Sequence, residues 1–310
     1  MPEWVIEEGI GETRAALIDN DEIVEARVRR EGMTPAGTVI ETKLVAVAPR
    51  VTVEALSKEF GGERFLLPRG VSGVSEGGKL FVEVTREALG GSEPWKLGLA
   101  RRTDEEPRDA PPLADGRPGR IDGWNDLLEE AREGHVRFDG GELRIEPTAA
   151  MTMIDVDGWL VPDKLSQMAA WAAARAIRRL DIGGSVGIDF PTLKDKAARS
   201  QVDSILDDYL EKPFERTAMN GFGFVQVVRP RRRASLIELA ADRAPFEARA
   251  LLRRAEREIG AIRLVAHPAV VADLEREKGW IDALSRSVGG AVTLRAEASL
   301  AMSGAYAEQA

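Results

Sequence analysis

One change of hydrophobic rhythm divides this chain. Up to about residue 102 the apolar residues come in short runs rich in Val, Ile, Leu and Thr, punctuated by Gly and Pro. They include ThrArgAlaAlaLeuIle (13–18), GluIleValGluAlaArgVal (22–28), ThrValIleGluThrLysLeuValAlaVal (38–47) and LysLeuPheValGluValThr (79–85). Short strands at this spacing predict an all-β unit over 1–102, a small barrel or sandwich. Residues 103–121 are rich in Pro, Gly and charge with little to bury, and read as a linker. From Trp124 helical and strand periodicities alternate, so the rest of the chain reads as α/β. Helices are expected near 123–133, 164–180, 193–211 and 243–258. Strands are expected near 142–147, 149–156, 185–190, 222–228, 262–266 and 291–295. Thr192 is the expected cap of the helix over 193–211, whose apolar face is Ala198, Val202, Ile205 and Tyr209.

Several function classes fall away on composition. None of the 310 residues is Cys, which excludes disulfides, thiolate zinc sites and a cysteine nucleophile and fits a reducing cytoplasm. No run of about 18 apolar residues appears, so no membrane span is expected, and the N-terminus lacks the basic start and apolar core of a signal peptide. The formal charge is −9. An acidic chain binds nucleic acid only through a local basic surface. One is available: ten arginines against five acidic residues between Arg229 and Arg263.

Two apolar runs end in carboxylates: MetThrMetIleAspValAspGly at 151–158 and GlyIleAspPhe at 187–190. Residues two apart on a strand share a face, so Met151, Met153, Asp155 and Asp157 are expected on one side of the first. The methionines fit a buried stretch there. Open α/β sheets bind ligands at the carboxyl ends of their strands, and Asp189 ends its own strand the same way. Three aspartates that meet there would suit a hard cation such as magnesium, which takes oxygen ligands. An Asp at a strand end also caps turns, so spacing alone gives a metal-site hypothesis and not an enzyme.

The segments around these aspartates resemble the ribonuclease E/G family, in that family's order. GlyGlyGluLeuArgIleGluProThrAlaAlaMet (140–151) leads into IleAspValAspGly (154–158), and ArgArgLeuAspIleGlyGlySerValGlyIleAspPhe (178–190) leads into the second aspartate. MetAsnGlyPheGlyPheValGlnValValArg (219–229) and AlaSerLeuIleGlu (234–238) follow. Together they cover about residues 140–240. GlyGluThrArgAlaAlaLeuIle near the start, ProAlaGlyThrVal (35–39) and PheLeuLeuProArgGly (65–70) are similar to the family's N-terminal region, and Ala261 to Tyr306 to its small terminal domain. On the latter likeness the chain is expected to be compact and not truncated.

The resemblance implies a mixed α+β and α/β chain: an OB-type RNA-binding barrel (1–102), a linker (103–121), a deoxyribonuclease-I-like catalytic domain (122–242) and a small C-terminal α/β domain (243–310). It implies magnesium-dependent hydrolysis of single-stranded RNA, in RNA processing (rRNA included) or decay, with Mn2+ as a substitute metal. Asp155 and Asp189 fall on the family's metal-binding aspartates. Asp157 falls where well-studied members carry an asparagine, so it is a third catalytic and metal-site candidate. Arg178, Arg179, Arg229, Arg231, Arg232 and Arg233 are candidates to hold the RNA backbone, with Phe222 and Phe224, expected on one strand face, to stack on bases. On the barrel, Phe65 and Phe60 are the aromatic candidates, with Arg69, Arg64 and Lys43 for phosphates; core packing is an equal reading of both phenylalanines. His135 and His267 fall outside the motifs. The family's zinc-binding cysteine pair is absent, which leaves room only for a homodimer not linked by zinc, and a linker stands in place of its insertion that senses 5′ ends. Two alternatives stay open: an RNA-binding protein of the same family without cleavage, and a phosphodiesterase acting on another substrate.

Overall fold

The computed structural model describes residues 1–57, 60–90, 95–277 and 279–310. The chain opens with a meander of β1 (Glu3–Gly9), β2 (Glu12–Asp19) and β3 (Glu22–Arg30), paired antiparallel in sequence order. Asn20 and Asp21 make the second turn with φ of 50° and 64°, the hand that suits a two-residue hairpin. Five strands then close into a barrel in the order β4-β5-β6-β8-β7: β4 (Val39–Ala46), β5 (Thr52–Ala55), β6 (Arg64–Leu66), β7 (Lys79–Arg86) and β8 (Gly98–Arg102).

The barrel is therefore smaller than the all-β unit expected over 1–102. Strands β1–β3 belong to a separate sheet, completed by β9 (Arg117–Pro118) running parallel to β1. Burial on β2 explains the split. Ala16 faces one core with Val5, Ile23, Ala26 and Val28, while Ala15 packs against Leu113 and Ala114 on the other side. A strand buried on both faces sits between layers. The first of those cores is shared with the helices downstream, so β1–β3 pack with the 122–242 region. The stretch 103–121 is also more than a linker. Arg108 bridges to Val39, Leu113 and Ala114 are buried, and β9 pairs with β1. A few buried residues among Pro, Gly and charge leave no periodicity to read.

The α/β part follows as α1 (Trp124–Glu133), β10 (His135–Phe138), β11 (Gly141–Pro147), β12 (Thr152–Gly158), α2 (Pro162–Arg179), β13 (Gly184–Asp189), α3 (Lys196–Tyr209), β14 (Glu215–Arg216), β15 (Phe224–Arg229) and α4 (Leu236–Ala241). Its six strands lie in the order β10-β11-β12-β13-β15-β14. Helix α2 starts with Pro162 in its first turn, where the missing N–H costs nothing, and buries Leu165, Ala169, Ala173 and Ile177. Helix α3 begins at Lys196 and is capped by Asp195, whose Oδ1 accepts the Ala197 N–H at 2.9 Å. Asp195 thus takes the capping role expected of Thr192, and Tyr209, expected on the buried face, is exposed.

One sheet face is set by Leu143, Ile145, Ile154, Val156, Val186, Ile188, Val225 and Val227, all buried in the core shared with the helices. Each such side chain contributes about 1.5–3 kcal/mol by leaving water. A one-residue slip of β12 or β13 would exchange them for carboxylates, so register is strongly fixed. The opposite face carries the alternate residues.

The last unit contains α5 (Arg243–Ala255), β16 (Ile262–Ala266), α6 (Pro268–Arg276), α7 (Trp280–Val288), β17 (Val292–Ala296) and β18 (Tyr306–Gln309). Its sheet has the order β17-β16-β18, around Leu251, Leu264, Val270 and Leu284. Arg253 ties it to the first sheet: its Nε and Nη2 donate to the Glu7 carboxylate at 2.8 and 3.0 Å. Among the described residues no helix is long and apolar enough to cross a membrane.

Candidate active site

Strands β12 and β13 run parallel, with Asp155 directly opposite Asp189. Neighbouring strands are about 4.8 Å apart, so the two carboxylates start from adjacent backbone positions. Both residues are exposed on the face away from the helices. Neither side chain has a hydrogen bond or ion pair among the described residues. Like charges directly opposite each other on a sheet are unfavourable, and nothing cationic among the described residues bridges this pair.

The register extends the row. Arg144 on β11 faces Asp155, His135 on β10 faces Arg144, and Phe224 on β15 faces Asp189. His135, outside the motifs by sequence, therefore lies in the same row as both aspartates. Its Nε2 is 2.7 Å from Glu142 Oε2, and Arg144 Nη2 donates to Glu142 at 3.3 Å. These two contacts, His135 first, hold the Glu142 carboxyl below the usual carboxylate range. Asp157 lies in the next row, opposite Glu142, and its Oδ1 accepts the Gly158 N–H at 2.8 Å. Among the described residues no group of three or more His, Cys, Asp or Glu side chains is gathered for a metal ion. The arrangement is a pair of carboxylates with a third acid about two residues along the same strand.

The loop before β15 closes one side of the pair. Asn220 Oδ1 accepts the N–H groups of Phe222 (2.8 Å) and Phe224 (3.1 Å). Gly223, at φ 96°, accepts the Phe190 N–H at 3.1 Å and so joins the loop to the residue after Asp189. Phe222 is 83% exposed at the loop tip. Phe224 instead lies on the sheet over Gly187, where an added Cβ would come 2.7 Å from its ring and 2.9 and 3.0 Å from the sulfurs of Met153 and Met151. The two phenylalanines thus do not share a strand face, and the methionines are half-buried on the outer face, not in the core.

The arginines are elsewhere. Helix α2 joins two parallel strands, so its C-terminus lies where β13 begins, about 17 Å from Asp189 along the strand. There Arg178 pairs with Glu25 (3.0 Å) and Glu211 (3.4 Å), and Arg179 with Glu130 (3.3 Å). Arg229 faces Gly184 at the same end, and its Nη1 donates to the Ile182 carbonyl at 3.1 Å. Arg231 pairs with Glu238, Arg233 with Asp181 at 3.1 Å, and the Arg232 carbonyl accepts the Glu87 N–H of the barrel at 2.8 Å. The expectation that Arg178 and Arg179 sit beside the aspartates is therefore corrected: nearness in sequence to β13 is nearness to its wrong end.

On the barrel, Phe65 is completely buried over Gly98 and is a core residue, not a stacking surface. Phe60 packs partly against the same core, and Arg64 pairs with Glu54 at 3.1 Å. Arg69 lines a surface groove with Arg101 and Arg102, and Lys43 is exposed.

Sequence reasoning passed over Trp159 altogether. It follows β12 with the parity of Asp155 and Asp157 and is 78% exposed. Lys194 and Lys196, between Asp189 and the first turn of α3, are exposed at the same edge. The signal for Trp159 was its odd-number spacing after the two acids.

Residues 122–232 match the ribonuclease E/G family. Ribonuclease G of Escherichia coli strain K12 is 31% identical over 131 residues, 38% of this chain and 27% of that protein. Ribonuclease G of Haemophilus influenzae is 34% identical over 136 residues, 40% of this chain and 28% of that protein. The matches thus span under a third of each relative's length. The family match covers both aspartate strands and the Phe222 loop, and over this segment the chain is similar to the ribonuclease E/G family.

Proposed function

We propose that this protein is an endoribonuclease that cleaves single-stranded RNA with a magnesium ion held by Asp155 and Asp189, in RNA processing or decay. The observation that carries the reading is the pair itself: two exposed, unpartnered carboxylates in register at the carboxyl edge of a sheet. Their repulsion is what a divalent cation relieves, and magnesium needs only one or two protein carboxylates beside its waters. Bound there, it would supply Lewis-acid polarisation of a phosphate and a bound water of lowered pKa.

The chain's own groups do the rest. Asp155 and Asp189 fix the position of the cation on a sheet whose register the core enforces. Asp157 adds a negative charge one row on, held by the Gly158 amide. Lys194 and Lys196 offer charge to RNA phosphates at that edge, and the exposed ring of Phe222 offers a face to a base. The groove of Arg69, Arg101 and Arg102 on the barrel is a second contact for the strand. Arg229, Arg231 and Arg233 of the distant arginine run are engaged in holding the fold together.

Labelled single-stranded RNA incubated with the protein, with magnesium and with a chelator, tests the proposal. Cleavage is expected with magnesium only, and is expected to vanish in Asp155→Asn and in Asp189→Asn. Tight RNA binding without cleavage under magnesium or manganese would overturn it in favour of a binding protein.

A further inference from the structure

The chain has six tryptophans, and their surroundings differ in a way that singles one out. Trp4, Trp171 and Trp280 each carry an arginine over the ring, at 4.4, 4.6 and 4.7 Å. Trp124 is 1% exposed in the core, and Trp95 is an exposed residue of the barrel region. Trp159 is 78% exposed with no cation or ring against it among the described residues.

Its backbone is nonetheless held on both sides. The Trp159 N–H donates to the Gly140 carbonyl at 3.2 Å, which continues the β11–β12 ladder one residue beyond Gly158. Leu160 packs against the core and fills the space that a side chain on Gly140 would need. Val161, itself 70% exposed, is the N-cap of α2 and Pro162 its first residue. A three-residue link between a strand and a proline-started helix leaves little freedom. Trp159 is a flat aromatic face on a fixed stem, with the strand parity of Asp155 and Asp157 and four residues, about 13 Å, beyond Asp155. Phe222 stands on the other side of the aspartate pair, in the loop that leads into β15 beyond β13.

We infer that Trp159 is a substrate-positioning residue that stacks on a base of single-stranded RNA a short way along the strand from the carboxylate pair and so sets which phosphate reaches Asp155 and Asp189. This rests on the nuclease reading above. Every base has a π-face, so stacking of this kind accepts any sequence but fixes register along the strand. A stem already fixed before binding loses little entropy when the base lands on it.

The test uses the full chain, a fluorescein-labelled decamer of adenylate and, for binding, the Asp155→Asn background, in which the strand stays intact. Trp159→Ala is expected to weaken binding about 5- to 150-fold, as loss of one stacked base does. Trp159→Phe is expected to restore most of it. The slope of affinity against salt is expected to stay unchanged, because no phosphate contact is lost. In the cleaving protein, Trp159→Ala is expected to raise KM and spread the cut over several positions, and Trp159→Phe to keep the original position. Wild-type affinity and an unshifted cut in Trp159→Ala would overturn the inference while leaving the nuclease intact. Loss of affinity in Trp159→Ala with Phe rescue, but no cleavage by any form under any metal, would leave the stacking role and sink the nuclease.

Discussion

Gly223 is where the site is most exposed to a single added carbon. Its φ of 96° is one that side-chain-bearing residues rarely adopt, and a Cβ built there runs into the Phe190 carbonyl oxygen and lies 3.2 Å from the Pro191 carbonyl. Both obstacles are backbone and cannot swing away. Gly223→Ala therefore has two ways out. Kept in place, the loop bears conformational strain of about 1–3 kcal/mol. Pushed away, it loses the Phe190 N–H bond to Gly223, worth about 0.5–1.5 kcal/mol. Either way the cost is about 1–3 kcal/mol, and Phe190 is the residue after Asp189. A displacement of 1 Å at a reacting geometry costs on the order of 100-fold in rate. Gly223→Ala is thus expected to lower the urea midpoint and to reduce magnesium-dependent cleavage about 100-fold. Gly221→Ala, two residues away with nothing within 4 Å of its added carbon and an ordinary φ, is the control and is expected to match wild type in both. Urea unfolding and single-turnover cleavage of the three proteins decide it. Equal stability and rate in Gly223→Ala and Gly221→Ala would refute the claim that this loop positions Asp189.

Other consequences are open to direct measurement. Burial alone would raise the Glu7 carboxyl, but the Arg253 bonds, the Ile121 N–H and Arg14 outweigh it and hold the group below its usual 4.5. A carboxyl lowered on folding stabilises above that value and loses the contribution as pH falls through its folded pKa. Glu7→Gln is expected to cost about 1.5–3 kcal/mol at pH 7, with the gap to wild type closing below about pH 4.5 in a pH series of urea titrations. Arg233→Ala leaves Glu87, a buried carboxyl that burial already pushes up, without its nearest cation; stability is expected to fall by about 3 kcal/mol while the salt slope of RNA binding stays put. A flattened slope would return that arginine to the RNA path. Asp157→Asn, which removes the acid but keeps an oxygen for the Gly158 N–H, is expected to retain cleavage, and a complete loss in the same assay would make that acid essential.

Much of the second half of the chain was legible because its periodicity is strong. Ile154 and Val156 alternate with Asp155 and Asp157, and that alternation alone puts the acids on the face away from the core. The Ala-rich face of α2 is equally plain. What sequence could not show was topology. Arg178 and Arg179 stand ten or so residues before Asp189, yet a parallel crossover returns them to the far end of the sheet. Strands β1–β3 look like barrel strands one by one, and only burial of Ala15 and Ala16 on opposite sides reveals a sheet between two layers. Phe65 and Phe222 are the same residue type, but the barrel closes over one and a loop displays the other. Trp159 was hidden by the strand's end, where alternation stops being counted.

The central claim is that Asp155 and Asp189 together hold a divalent cation. Titration of manganese into the RNA-free protein, with free manganese read by its electron paramagnetic resonance signal, tests it without any appeal to activity. Wild type is expected to remove one ion per chain from solution, and Asp155→Asn and Asp189→Asn are each expected to leave it free. Undiminished binding in both variants would contradict the account.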